Sequence, residues 1–509
     1  MTLENPILAE WSEQQAKLRP NDVAIQFQNR TLTYGELDAR ANSVAQGLIA
    51  AGCKPGARVA IVSRNSDTFM EIAIGAMKAR AVLLAVNWRL APPEIRYILE
   101  HGEAELVFSE EEFANAVKAA SARAPIAIGP QYEGWRDANP AVSPHLAYEP
   151  DDVVVQMYTS GTTGLPKGVQ LTNRNYCAYI EMFEKLPWQQ NAPDDVMFAP
   201  APFFHVNGIN AALRSLHVGS RLITIDQFRP AEVVEMFARE KVTRATLAPA
   251  MLQMGLEVPG IDKLDFSSIR LITYGGSPIA ERVLTEAGKV FGCAFAQGYG
   301  MTEATSAVTM LAPEDHDPAR NKLKSCGRPL PGAEVRVVDA NGNPCPPRTI
   351  GEVVVRGPMV TKGYWRDEKA TASAIADGWL HTGDAAYFDE EGYLYIHDRV
   401  KEMIVSGGEN IYPAEVENAL FHHPDVADVA VIGVPHEKWG EAVKAIVGAQ
   451  PGRAVSERIL IDHARSRIAG FKVPKSVDFV AAIPRNAAGK ILRRELRKPY
   501  WENRERNVN

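Results

Sequence analysis

Short aliphatic and β-branched runs recur along the first half of the chain: RVAIVSR (58–64), VLLAV (82–86), AELVF (104–108), RLITI (221–225) and RLITY (270–274). Stretches with helical spacing lie between them. TYGELDARANSVAQGLIAAG opens with Thr33 and carries Glu36 three residues on, a capping-box pattern. Leu37, Ala41, Val44, Leu48 and Ile49 follow at helical spacing, and Gly52 ends the run. Strands alternating with helices imply βαβ units and parallel sheets. The expected fold is α/β, with doubly wound sheets in a large N-terminal domain.

The chain has 509 residues, too many for one hydrophobic core. Hydrophobic residues make up 46% and charged residues 23%, the mix of a soluble globular protein. No apolar stretch approaches the ~18–20 residues that span a bilayer, so no integral membrane association is expected. The opening MTLENPILAEWSEQQAK lacks the basic, apolar, small-residue order of a secretory signal. The five cysteines form no CxxC pair, which leaves neither a disulfide framework nor a zinc knuckle. A reducing cytoplasm is the expected compartment. The net charge of −7 argues against a nucleic-acid partner. Residues 400–509 nonetheless hold 17 Lys and Arg against 14 Asp and Glu. That balance suits a polyanionic ligand or an ordinary solvated surface.

The texture changes near residue 330. VRVVD, GEVVVRG and GYLYIHDR read as short strands separated by turn signals, a small antiparallel β unit. Beyond DRVKE (398–402), VADVAVIGV, EAVKAIVGA and SVDFVAAIP read as strands. SERILIDHARSRIA and KILRRELRK read as helices. This is a small α+β C-terminal domain. The expected division is 1–399 and 400–509.

The run YTSGTTGLPKG (158–168) has the make-up of a ligand loop. Gly161, Gly164 and Gly168 let a backbone turn sharply and come close to a ligand. Thr159, Ser160, Thr162 and Thr163 add hydroxyls, and Lys167 adds a mobile positive charge; such a set suits phosphate oxygens. It is not a Walker A loop, which needs a lysine followed by Ser or Thr at the start of a helix. Here Pro166 precedes the lysine, Gly168 follows it, and VQLTN then reads as extended chain. A generic Gly/Thr run would be a flexible surface loop. Five further segments set this one apart: PFFHVNG (202–208), YGGSP (274–278), QGYGMTEA (297–304), WLHTGD (379–384) with YLYIHDRVKEMIVSGGENIYPAEVE (393–417), and PRNAAGKILRREL (484–496). In kind and order the six resemble the adenylate-forming superfamily of acyl-CoA synthetases, luciferases and peptide-synthetase adenylation domains. The resemblance covers essentially the whole chain. From YLYIHDR to GKILRREL it is nearest to bacterial fatty-acyl-CoA synthetases.

The resemblance implies a reaction and roles. A carboxylate attacks the α-phosphorus of ATP, and a thiol then displaces AMP. Thr159, Ser160, Gly161, Thr162, Thr163 and Lys167 would hold the β- and γ-phosphates. Glu303 would help hold Mg2+, a hard cation suited to carboxylate and phosphate oxygens, and Thr302 would touch the α-phosphate. Gly275, Gly276, Ser277, Gln297, Gly298 and Tyr299 would bracket adenine. Asp384 would accept hydrogen bonds from the ribose, with Arg399 assisting. Lys490 would bridge the carboxylate and the α-phosphate. His205, Val206, Asn207, Tyr274, Gly300 and Met301 would line the acyl pocket. His205 would also gate the thiol tunnel. The C-terminal domain would pivot at Lys401, bringing either Lys490 or the loop with Gly407 and Gly408 to the site, where the glycines leave room for the pantetheine of coenzyme A. Trp439 either contacts pantetheine or packs in a core. Without the motifs, Lys490 would read as a solvated cap, Glu303 as a first-turn helix acid, His205 as a core residue, Asp384 as a turn residue and Gly407–Gly408 as a hairpin turn.

The leading expectation is an AMP-forming acid–CoA ligase using ATP, Mg2+ and coenzyme A. The second keeps the adenylation and passes the acyl group to a carrier protein or an amine; no carrier domain follows Lys490 in the sequence. The third is a nucleotide binder without catalysis, against which Lys167, Glu303, Asp384 and Lys490 stand together. FHVNGINAAL, TYGGSPI and YGMTEATSAV offer apolar and small neutral residues, and no Lys or Arg that would pair with a second carboxylate. They favour an apolar monocarboxylate, a fatty, aryl, arylalkenoic or steroid-derived acid; the resemblance to fatty-acyl-CoA synthetases puts the fatty acid first. A homo-oligomer stays open.

Overall fold

The computed structural model describes residues 7–118, 124–159, 165–276, 279–399, 402–406, 409–436, 439–468, 470–485 and 491–501. The chain forms two compact units, Met1–Val335 with Val355–His381, and Arg336–Val354 with Thr382–Asn509. Each is described by itself.

The first unit holds two sheets. The larger runs in the order Arg328–Pro329, Ala307–Leu311, Ala294–Gly300, Leu271–Gly275, Arg244–Leu247, Val196–Phe198, Arg221–Thr224, Val23–Phe27, Arg30–Thr33. It is parallel from Ala294–Gly300 through Val23–Phe27, with antiparallel strands at both ends. The smaller runs Gly363–Tyr364, Lys167–Thr172, Val153–Thr159, Val82–Ala85, Arg58–Val62, Ala104–Ser109, Ile126–Ala127. All four residues of Val82–Ala85 are buried. That is the signature of a parallel strand covered on both faces, and it is why these runs read as continuously apolar instead of alternating. The helix expected after Thr33 spans Tyr34–Ala50. Its capping box is formed: the Glu36 amide donates to Thr33 Oγ1 at 3.2 Å, and the Thr33 amide donates to Glu36 Oε2 at 2.8 Å.

The strand Trp379–Phe388, which belongs to the second unit from Thr382 on, pairs antiparallel with Leu394–Arg399, Asp384 standing opposite Arg399. Further along, Val426–His436 and Gly440–Ala449 form a long antiparallel pair, and Ser476–Phe479 adds in parallel. Helices Pro413–Phe421 and Glu457–Arg465 pack on this sheet through Val416, Leu420, Leu460 and Ala464. The closing helix, Arg493–Trp501, is anchored by charge. Arg493 Nη2 donates to both Glu417 carboxylate oxygens at 2.7 and 2.8 Å, and Nη1 donates to Glu402 Oε2 at 2.5 Å.

Candidate active site

The phosphate-loop candidate is carried by an antiparallel pair. Strands Val153–Thr159 and Lys167–Thr172 face each other with Thr159 opposite Lys167 and Tyr158 opposite Gly168. The expectation of extended chain after the loop holds, and no helix follows Lys167 directly. Ser160, Gly161, Thr162 and Thr163 lie outside the described residues. The two flanks are held from helix Pro92–His101: Tyr97 donates its hydroxyl to the Pro166 carbonyl at 3.2 Å, and His101 Nδ1 lies 2.7 Å from the Tyr158 hydroxyl. Burial pulls the His101 pKa down, Arg366 adding to the effect, so the ring meets the phenol as a neutral imidazole.

Thr302–Ala304 is a single 3-10 turn after strand Ala294–Gly300. Glu303 is buried in it, and two hydroxyls converge on its Oε1: Thr159 Oγ1 at 3.2 Å and the Tyr364 phenol at 3.1 Å. Burial raises the Tyr364 pKa and Glu303 raises it further, so the phenol is the donor. Lys167 Nζ lies over the Tyr364 ring, 5.0 Å from its centroid. One turn and one hairpin thus bring Thr159, Lys167, Thr302 and Glu303 to one place. The turn is tightly held. Thr305 sits at φ 62, a left-handed conformation that a β-branched residue seldom adopts. Its hydroxyl donates to the Met359 carbonyl at 2.6 Å, and its own carbonyl accepts from Asn210 Nδ2 at 2.6 Å. Among the described residues no three His, Cys, Asp or Glu side chains gather in a way that could hold a metal. One carboxylate beside a phosphate loop is still the donor set Mg2+ uses with a nucleotide, since it takes one or two carboxylates plus substrate phosphates.

In the segments expected to bracket adenine, Gly275 ends strand Leu271–Gly275 and stands opposite Gly298 of the adjacent parallel strand Ala294–Gly300. A Cβ on Gly275 would collide with the Gly298 carbonyl, so the two strands come this close only with glycine there. Gly276 has φ 82, and Asn207 Nδ2 is 3.7 Å from where its Cβ would sit. The turn at Gly276 and the start of helix Val206–Val218 are therefore neighbours. Gln297 is buried, and Tyr299 and Met301 are half-buried. Ser277 lies outside the described residues.

His205 caps helix Val206–Val218 in extended conformation. Its ring lies 4.6 Å from that of Phe204, and its Nε2 is buried without a hydrogen-bond partner among the described residues. Burial, with Arg89 nearby, pushes its pKa down to about 4. Val206 is buried, while Asn207 and Gly300 are exposed. Tyr274 is placed differently from the expected pocket lining. It is fully buried in the core with Leu284, Ala287 and Phe295, and its hydroxyl lies 3.1 Å from His316 Nε2. It follows half-buried Thr273 in the strand, and period two turns it into the core.

In the second unit Asp384 is buried, and its amide donates to Thr382 Oγ1 at 3.1 Å. Arg399 faces it across the strand pair. Trp439 stacks on His436, centroids 4.2 Å apart, with Lys475 Nζ 5.3 Å from the indole centroid. Lys401, Gly407, Gly408 and Lys490 lie outside the described residues.

Three residues escaped the sequence reading. Tyr364 and Trp365 belong to GYW (363–365), a triplet whose spacing carries no signal. Arg89 was missed because the pocket segments were read as linear runs. It follows strand Val82–Ala85, with its guanidinium 4.7 Å from the Trp88 ring and 6.0 Å from that of Phe204.

Comparison with known proteins places the chain in a family. The sequence model described as AMP-binding enzyme matches residues 12–365, and that of the AMP-binding enzyme C-terminal domain matches residues 415–490. A fatty acid–[acyl-carrier-protein] ligase of Streptomyces coeruleorubidus is 40% identical over 503 residues, 97% of this chain and 96% of the relative. A feruloyl-CoA synthase of an Amycolatopsis species is 38% identical over 506 residues, 98% and 100% of the two chains. Among solved structures, o-succinylbenzoate CoA synthetase of Bacillus subtilis with its acyl-adenylate intermediate superposes with a TM-score of 0.87 at 32% identity, covering 96% of this chain and 97% of that one. No helix among the described residues is long and apolar enough to cross a membrane. With both family models matched and relatives that align over nearly their whole length, the chain belongs to the AMP-binding enzyme family and is an AMP-forming acid–thiol ligase of the adenylate-forming superfamily.

Proposed function

We propose that this ligase activates an apolar monocarboxylic acid, a fatty acid first, as an acyl-adenylate and transfers the acyl group to coenzyme A. The observation that carries the proposal is the convergence of Thr159 and Tyr364 on Glu303 beside Lys167. In the first half-reaction a carboxylate oxygen bonds to the α-phosphorus, the bond to the bridging oxygen breaks, and pyrophosphate leaves. Two anions must meet, so positive charge has to stand ready where charge develops. Lys167 supplies it at the β- and γ-phosphates with the hydroxyls of Thr159–Thr163, and Lys490 supplies it between the carboxylate and the α-phosphate. Glu303 holds Mg2+, which neutralises phosphate charge when bound, and Thr302 touches the α-phosphate. Gly275, Gly276, Ser277, Gln297, Gly298 and Tyr299 hold adenine, and Asp384 with Arg399 the ribose. In the second half-reaction the thiol attacks the acyl carbon, and AMP departs with the electron pair of the broken acyl–oxygen bond. The functional division is at 399/400 with the pivot at Lys401. The loop with Gly407 and Gly408, and Trp439, serve the pantetheine arm.

The acyl pocket is bordered by His205, Val206, Asn207, Gly300 and Met301. A buried imidazole nitrogen without a partner is costly. A neutral His205 with Nε2 unmet therefore supports a ligand-facing role over a core one. The fatty-acid and feruloyl names of the relatives both fit an acid with an extended apolar or aryl body. The carrier-protein relative favours one second reading, a carrier-bound thiol as acceptor in place of coenzyme A.

Pyrophosphate release tests both. Acids from acetate to palmitate, benzoates, cinnamates, a bile-type acid and a dicarboxylate are offered with ATP and Mg2+. Each is run alone, with coenzyme A, and with a holo carrier protein. Turnover that needs a long-chain acid and coenzyme A is the expected result. Turnover that needs the carrier protein moves the acceptor, and a preference for an aryl acid replaces the fatty acid.

A further inference from the structure

The segment after strand Gly351–Arg356 fastens the acid turn to the phosphate hairpin. The Thr361 amide donates to the Glu303 carbonyl at 2.7 Å, and Thr361 Oγ1 donates to the Gln170 carbonyl at 2.5 Å. The Trp365 amide donates to the Gly168 carbonyl at 2.7 Å. The Trp365 indole donates to the His101 carbonyl at 3.0 Å, and the Arg58 guanidinium lies 3.3 Å from its centroid. Between these fixed points Gly363–Tyr364 forms a short strand against Lys167–Thr172, with Tyr364 opposite Val169. Both polar faces of Tyr364 are thereby aimed. Its phenol reaches Glu303 Oε1 at 3.1 Å, and its ring face reaches Lys167 Nζ, 5.0 Å from the centroid.

A carboxylate that serves a cation needs its rotation fixed. Two hydroxyl donors on one oxygen do this and leave the other oxygen to point elsewhere. Groups that hydrogen-bond a metal ligand from behind commonly set metal affinity by about 10- to 100-fold. An ammonium held against an aromatic face is likewise restrained without losing its charge. We propose that Tyr364 is a positioning residue that sets the two charges of the phosphate site together, its phenol orienting Glu303 and its ring seating Lys167. This rests on the proposed roles of Glu303 toward Mg2+ and of Lys167 toward the phosphates.

Tyr364→Phe separates the two functions, since it keeps the ring and removes the donor. ATP binding is measured by calorimetry in Mg2+ and in EDTA, and pyrophosphate release is titrated with Mg2+. Glu303→Gln and Tyr364→Leu are run alongside. Tyr364→Phe should raise the Mg2+ needed for half-maximal release about 10-fold and leave ATP affinity in EDTA within about 2-fold of wild type. Tyr364→Leu should also weaken ATP in EDTA, by about 5-fold. If Glu303→Gln shifts the Mg2+ requirement and Tyr364→Phe does not, the inference fails while the role of Glu303 stands. If Glu303→Gln leaves the requirement unchanged, that role fails and the inference with it. If Tyr364→Phe weakens ATP equally in Mg2+ and EDTA, the phenol acts on packing and not on the cation, which also overturns the proposal.

Discussion

Single side chains carry two predictions. Lys490→Ala should cut pyrophosphate release by orders of magnitude, because positive charge is then missing where the two anions meet. Thioester formation from preformed acyl-adenylate should largely survive; equal loss of both half-reactions removes the role. His205 gives a stability signature. Its imidazole stays neutral in the folded chain down to about pH 4, against 6.5 for an ordinary histidine. Between those values the unfolded chain binds the extra proton, so this contribution is full above pH 6.5 and falls as the pH drops toward 4. Urea unfolding at pH 7 and 4.5 should show wild type losing roughly 2–3 kcal/mol more than His205→Gln. Parallel losses in the two proteins would mean that His205 is not held neutral by the fold. At this scale the sequence was half legible. Lys167, Thr302 and Glu303 stand in motifs that the resemblance singles out, and the hairpin and turn bring them together. Tyr364 does not announce itself, because one aromatic in GYW acquires its meaning only by folding back onto a carboxylate 61 residues earlier. Tyr274 shows the opposite case: it opens the motif YGGSP, yet strand periodicity buries it in the core.

Elements were read more surely than the roles within them. The buried runs at 58–64, 82–86, 104–108, 221–225 and 270–274 each contain a strand, since a strand covered on both faces tolerates little else. The extended chain after the candidate phosphate loop was legible from Pro166, Gly168 and VQLTN, whereas its antiparallel pairing with Val153–Thr159 was not. What was not legible is how nearly two parallel strands touch. Gly275 and Gly298 look like loop glycines in a linear reading, yet they pack backbone against backbone. Gly275→Ala should therefore push these strands apart. It should cost roughly 1–3 kcal/mol of stability, as overpacking does, and weaken ATP binding through displacement of Gly298 and Tyr299. A melting curve and a nucleotide titration check this, and wild-type values in both would show that the strands absorb the methyl group.

At the scale of the whole molecule, the functional division and the compact units are drawn differently. A break at 399/400 follows from where the hinge motif falls. The compact units follow from packing, which returns Val355–His381 to the first unit after Arg336–Val354 has gone to the second. No composition window marks that crossing, because the single apolar run GEVVVRG straddles it. The two-pose proposal is tested by Gly408→Leu, which should spare pyrophosphate release and slow acyl transfer to coenzyme A. Collapse of both half-reactions would remove the pantetheine role of that loop. The crossing also sets an order in time. A nascent chain carries Thr159, Lys167 and Glu303 well before it carries Tyr364. At about 5–20 residues per second of synthesis, the 61 residues from Glu303 to Tyr364 take roughly 3–12 s. For that interval the ribosome holds a chain with the acid already made and its clamp still to come. The contacts of Tyr364 with Glu303 and Lys167 are thus among the last features of the first unit to be completed during the chain's birth.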